Sequence, residues 1–170
     1  MNKIEKKYTH LNLFEDKKGK TKSFYLKDPY KKNDYLIIQF LKDYSNSNNN
    51  SDVRVCIHET ENCLHHDMIL LQNSKNYYTP HKHKLVGDTL YLIEGKLACF
   101  LYSNKGKIIY SCTLKKGEIL KIKKNVYHNF LPLSKRVIYY EAKSGPFIRE
   151  HTVIPNWCPR ENDNKENIKK

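Results

Sequence analysis

The stretch TPHKHKLVGD, residues 79–88, sets His81 and His83 one residue apart and ends in Asp88. In an extended strand alternate side chains share a face, so the two imidazoles point the same way. Convergent neutral imidazoles are good ligands for a divalent transition metal. Gly87 permits a tight reversal, and a strand beginning at Asp88 can then lay a carboxylate beside the two rings. Taken alone, the pair suits a polar strand surface as well as a metal site, so the wider spacing has to decide. Six residues separate Asp88 from Gly95, and farther on Gly117 is followed by five residues and then KKNVYHN, which ends in His128 and Asn129.

Other residues could serve the same chemistry. Glu141 interrupts an apolar strand, either as an acid/base inside a barrel mouth or as a group on its solvent face. Tyr78, Tyr91 and Tyr127 lie near the candidate ligands in sequence and could supply a proton-donating hydroxyl. His58 closes a strand and could line a substrate pocket, while His65 and His66 are adjacent and face opposite ways. Trp157, between Pro155 and Pro159, is placed to fold a C-terminal arm onto the body, and Arg160 could clamp a substrate anion bidentately.

The elements that must position these residues read as mostly β. In NDYLIIQFLKDY, residues 33–44, Leu36, Ile37, Phe40 and Leu41 recur at helical spacing, with Asp34 as an N-terminal cap, and SNSNNNSD marks the loop that ends the helix. From residue 53 the segments VRVCIH, DMILLQ, DTLYLIEG, KLACFLYS, KIIYSCTL, EILKIK and RVIYYEAK follow closely, separated by turn residues such as Gly95, Gly106, Gly117 and Asn125. No helical period of useful length interrupts them. Short strands on tight turns predict an antiparallel sandwich or barrel. The chain divides into a charged extension (1–32) with few apolar anchors, a folded body (33–161) and a polar tail (162–170) expected to be disordered.

With 170 residues there is enough chain for one well-packed domain. No run approaches the roughly 20 apolar residues of a membrane span, and the charged N-terminus lacks the apolar centre of a signal peptide, so a cytoplasmic location is expected. The five scattered cysteines, without a CxxC pair, indicate neither a disulfide framework nor a zinc knuckle. The net charge of +13 lies partly in residues 81–143, where thirteen Lys or Arg face four acids. Such a surface favours an anionic partner, a phosphorylated metabolite or nucleotide-linked sugar. Nucleic acid is not expected, since basic helices, zinc-finger spacing and aromatic RNA-binding motifs are lacking.

The two spaced blocks, H-x-H-x4-D-x6-G and G-x5-K-x-N-x2-H, resemble the two-part signature of the cupins. Asp88 stands where that family usually has Glu, and Lys75 where it has a leading Gly; Lys123 and Asn125 replace the Pro and Gly of the second block, and Pro132 its final Asn. VRVCIHE (53–59), YYTPHKH (77–83), YYEAKSGPF (139–147) and PNWCPRE (155–161) further resemble the WbuC family of cupins, over roughly residues 33–161.

This resemblance implies a double-stranded β-helix, or jelly-roll barrel, with a short N-terminal helix. It implies metal ligands His81, His83 and His128, with Asp88 at the fourth place, holding Fe, Mn, Ni or Zn. WbuC-like proteins are encoded among surface-polysaccharide (O-antigen type, lipopolysaccharide) functions, which implies a sugar or nucleotide sugar as substrate. Isomerisation or epimerisation with the metal as Lewis acid, aided by Glu141, Tyr91 or Tyr127, is then the leading expectation. The alternatives are a small-molecule-binding cupin without turnover, or an Fe(II) dioxygenase. A homodimer through the sheets is the default expectation for such a fold.

Overall fold

The computed structural model describes residues 3–16, 21–27 and 34–159. Along the chain run α1 (Lys3–Lys7), β1 (Leu13–Asp16), β2 (Lys22–Leu26), α2 (Asp34–Ser47), β3 (Val53–Cys56), β4 (His65–Asn73) and β5 (Lys82–His83). They continue as β6 (Asp88–Glu94), β7 (Lys96–Tyr102), β8 (Ile108–Lys115), β9 (Ile119–Ile122), β10 (Tyr127–Pro132), β11 (Arg136–Ser144) and β12 (Thr152–Val153). Among the described residues, no helix is long and apolar enough to cross a membrane.

Seven strands form one sheet in the order β1-β2-β3-β4-β11-β6-β9, and β10-β7-β8 form a second. Strand alternation gives the large sheet two apolar faces. Met68 and Leu70 of β4, Leu90 and Leu92 of β6, and Val137 and Tyr139 of β11 join Leu97 and Cys99 of β7 and Phe130 of β10 in one buried cluster, the barrel interior. The intervening residues Ile69, Leu71 and Ile138 face the other way, against Ile37, Phe40, Leu41 and Tyr44 of α2. The helix thus has the spacing read from the sequence and runs three residues past Tyr44.

The N-terminal stretch departs from its reading as a charged lead with few anchors. Strands β1 and β2 form a hairpin, and β2 pairs in parallel with β3, extending the large sheet. Tyr8, Leu11, Phe24 and Leu26 are buried in the α2 cluster. Phe24 meets Phe40 edge-to-face at 4.9 Å and Tyr44 at 4.9 Å. Tyr8 donates to Asp43 of α2 at 2.8 Å, and Lys7 pairs with the same carboxylate oxygen at 2.7 Å. The few apolar residues all reach this one cluster, so lysine-rich composition hides a packed segment.

Strand β10 is absent from the strand segments read from the sequence, yet it pairs with β7 along its whole length. At the other end the arm folds back as expected. Trp157 donates its indole N–H to the Asn104 carbonyl at 3.1 Å and packs on Tyr102 and Tyr127.

Candidate metal centre

Backbone pairing brings the three histidines together. His81 and His128 exchange N–H···O bonds of 3.0 and 2.9 Å, a two-residue bridge that fixes their relative position. The loop before β10 is tied to β5 by the Asn125 amide, which donates to the His83 carbonyl at 2.7 Å. Asn125 adopts φ 61°, the left-handed geometry that Asn tolerates where the cupin pattern has Gly. The ring centroids lie 4.7 Å apart for His81–His128, 5.1 Å for His81–His83 and 5.8 Å for His83–His128. One ring nitrogen from each falls within 4.8 Å of the others, so the cluster can hold a metal ion.

Hydrogen bonds behind the rings set which nitrogen faces inward. Nδ1 of His81 donates to the Thr79 carbonyl at 3.1 Å, and Nδ1 of His128 to the Val126 carbonyl at 3.0 Å. A carbonyl only accepts, so both Nε2 atoms keep a free lone pair. Nδ1 of His83 meets the Thr152 hydroxyl at 3.2 Å, with β12 paired to β5 behind it. Oriented imidazoles with Nε2 unoccupied are the form a metal binds. Burial, the largest cause, pushes His83 and His128 down to about 3 and also lowers His81, so all three are neutral at pH 7.

Asp88 lies in the same space. Gly87 makes this possible by close approach: a Cβ there would meet the Ile122 carbonyl oxygen at 2.3 Å. Oδ2 of Asp88 sits 3.4 Å from Nε2 of His128 and 3.6 Å from Nε2 of His83. Both carboxylate oxygens are buried without a hydrogen-bond partner among the described residues. Burial, reinforced by Glu141, raises its carboxyl to about 7, with Lys143 and Lys121 pulling the other way. An orphaned carboxylate beside three imidazole lone pairs is the donor set a divalent cation satisfies. The residues present fit a metal.

The cluster opens into a cavity of about 520 Å³ that also meets Arg54, Tyr78, Asn129, Glu141 and Lys143. Glu141 and Lys143 continue the parity of Val137 and Tyr139 along β11, which turns both toward the interior. They form an ion pair of 3.0 Å with side chains only 12% and 13% exposed. Burial alone would raise Glu141, but the Lys143 ammonium outweighs it and holds the carboxyl below its ordinary range. Burial acts to lower Lys143, and Glu141 and Asp88 more than reverse it, so the amine stays charged. Tyr78 is held differently: its hydroxyl donates to Asp52 at 2.7 Å, and burial, with Asp52, raises it far above the ordinary phenol range.

Three sequence candidates lie elsewhere. Tyr91 is one residue out of phase with Leu90 and Leu92, faces outward and is 42% exposed. Tyr127 neighbours His128 and so faces the opposite way, where its ring carries Lys82 Nζ at 4.5 Å and meets Trp157. His58 stacks on His66 at 4.1 Å and hydrogen-bonds the Asp67 backbone, beside a separate cavity that does not include the three histidines. Arg160 lies outside the described residues. The sequence reading gave no role to Lys143, although its two-residue offset from Glu141 already put the two on one face.

No family model and no curated protein matches the sequence. Among solved structures, oxalate decarboxylase from Bacillus subtilis at pH 4.6 is similar at TM-score 0.50 and 15% identity, over 61% of this chain and 27% of that one. A Lactobacillus farciminis oxalate decarboxylase in a formate complex reaches 0.46 at 12% identity, over 54% and 27%. Pumpkin seed globulin gives 0.46 at 15%, over 53% and 23%. The chain thus spans about a quarter of the length of the decarboxylases, 27% in each case. At such identities the first match speaks to fold alone, and the two lower scores add no argument. The fold is the cupin-type jelly roll, and on it three histidines form a cluster able to hold a metal.

Proposed function

We propose that this protein is a metal-dependent enzyme that moves a proton next to a carbonyl in a small, anionic, sugar-like substrate, as an isomerase or epimerase does. The observation that carries the reading is the unpartnered Asp88 carboxylate beside three inward Nε2 atoms, at the wall of a cavity that also holds a charged acid–base pair. His81, His83 and His128 would hold a divalent Fe, Mn, Ni or Zn ion, with Asp88 as fourth donor. When bound, that ion supplies Lewis-acid polarisation of the substrate carbonyl.

The chain's own residues supply the rest. Lys143 and Arg54 line the cavity as cations and attract an anionic substrate to it. Lys143 also keeps Glu141 ionised, so a Glu141 oxygen can accept the proton from the carbon beside the carbonyl and return it in the product. Leu70, Phe130 and Tyr139 form the apolar part of the wall and limit water around the exchanging proton. The sugar class and a place in surface-polysaccharide synthesis rest on the resemblance of residues 53–59, 77–83, 139–147 and 155–161 to WbuC-type cupins.

Metal-supplied protein should be incubated in D2O with nucleotide-linked keto-sugars and with phosphorylated aldoses and ketoses, and deuterium gain at the carbon beside the carbonyl followed by NMR. The reading predicts exchange with at least one member, lowered about 10²–10⁴-fold by Glu141→Gln while metal content is unchanged. Binding of a sugar without exchange would instead make the protein a binding module.

A further inference from the structure

Away from the metal centre, strands β7 and β8 place two cysteines opposite each other. Cys99 and Cys112 are direct partners in the antiparallel register, so their side chains leave the same face of the sheet. Both are free thiols of one cluster, Cys99 within it and Cys112 packed against it. The two thiols interact, and Cys112 also interacts with the Tyr110 hydroxyl, so its sulfur sits between the buried thiol and an exposed side chain. Directly opposed strand residues are about 4.5–5.5 Å apart at the Cα atoms, within the span a disulfide bridges.

We infer that Cys99 and Cys112 are a peroxide-sensitive pair, with Cys112 the thiol that is attacked and Cys99 the one that resolves it into a disulfide. Cys99 is fully buried and Cys112 half-buried, which sets the order of attack. Burial, and then its neighbour Cys112, raise the Cys99 thiol well above its ordinary value, so Cys99 stays protonated and is not the thiol that peroxide reaches first. In the first step an S–O bond forms at Cys112 as the peroxide O–O bond breaks, and water leaves. In the second the Cys99 sulfur attacks the Cys112 sulfur, and the departing hydroxide takes the Cys99 proton as water. Two thiols lose two electrons and one peroxide becomes two waters. The bond would join β7 to β8 at the position where β7 also faces Phe130, whose ring lies 5.5 Å from that of His128.

The test is hydrogen peroxide treatment of the full chain, followed by tryptic mapping without reduction. Trypsin separates peptides 97–105 and 108–115, so a link between them is unambiguous. The expected result is that linked pair, an intact mass lower by about 2 Da, and recovery on reduction. In Cys99→Ser the expected product is a dimedone-trapped sulfenic acid at Cys112. Folded wild-type protein in which Cys112 is untouched, is carried on to the sulfonic acid without a link, or pairs with Cys63 or Cys158 would overturn the inference.

Discussion

Asp88→Asn separates what the fourth donor costs the fold from what it gives to metal binding. In the metal-free chain the carboxyl is raised to about 7 from an ordinary 3.8. The folded state therefore holds a proton that the unfolded state has released between those values, and stability falls as pH rises across that window. Each pH unit inside it is worth about 1.4 kcal/mol. The penalty is about 2 kcal/mol at pH 5 and levels off near 4 kcal/mol above pH 7. The amide of the Asp88→Asn variant does not titrate and would carry no such dependence.

The measurement is urea unfolding of both proteins in EDTA at pH 5 and pH 8. The stability of Asp88→Asn relative to wild type should grow by about 2–3 kcal/mol between the two pH values, whatever constant offset the amide introduces. The three histidines act oppositely, because pKa values lowered below the ordinary 6.5 add stability as pH rises toward that value. They are present in both proteins and neutral in the fold, so most of their contribution cancels in the difference. Adding metal at pH 8 should then stabilise wild type more than the variant, which keeps the three imidazoles and lacks the charged fourth donor. A pH-independent difference would refute the reasoning, as would a variant that metal stabilises as much as wild type.

Three further outcomes follow from the geometry. Lys143→Met strands a buried Glu141 and should cost about 3–5 kcal/mol in denaturant unfolding, most of which Glu141→Gln in the same chain restores. Gly87→Ala, whose Cβ would press on the Ile122 carbonyl, should cost about 1–3 kcal/mol and weaken metal retention, read by unfolding and by elemental analysis. Phe24→Ala should cost about 3–5 kcal/mol in denaturant unfolding, since its ring is buried between Phe40 and Tyr44; near-neutral behaviour would return the N-terminal stretch to the status of a loose extension.

The pair His81 and His83 was legible from strand parity, whereas His128 entered the ligand set only through the resemblance of the two spaced blocks to the cupin signature. The same parity, applied more widely, would have removed Tyr91 and Tyr127, which stand an odd number of places from Asp88 and His128 on their strands. Glu141 was left open between two faces, and only the burial of Val137 and Tyr139 closes that choice. Lys143 was missed because a lysine at a strand end reads as solvated until its partner is seen. The strands at Leu13–Asp16 and Lys22–Leu26 escaped notice since their anchors are few and set among lysines, so composition outweighed pattern.

The central claim is most directly tested by elemental analysis of protein purified without chelator from medium containing Fe, Mn, Ni and Zn. The account predicts about one transition-metal ion per chain, lost in His128→Ala while circular dichroism still reports a folded β protein. Wild-type protein that stays metal-free, or a His128→Ala chain that keeps its ion, would contradict it.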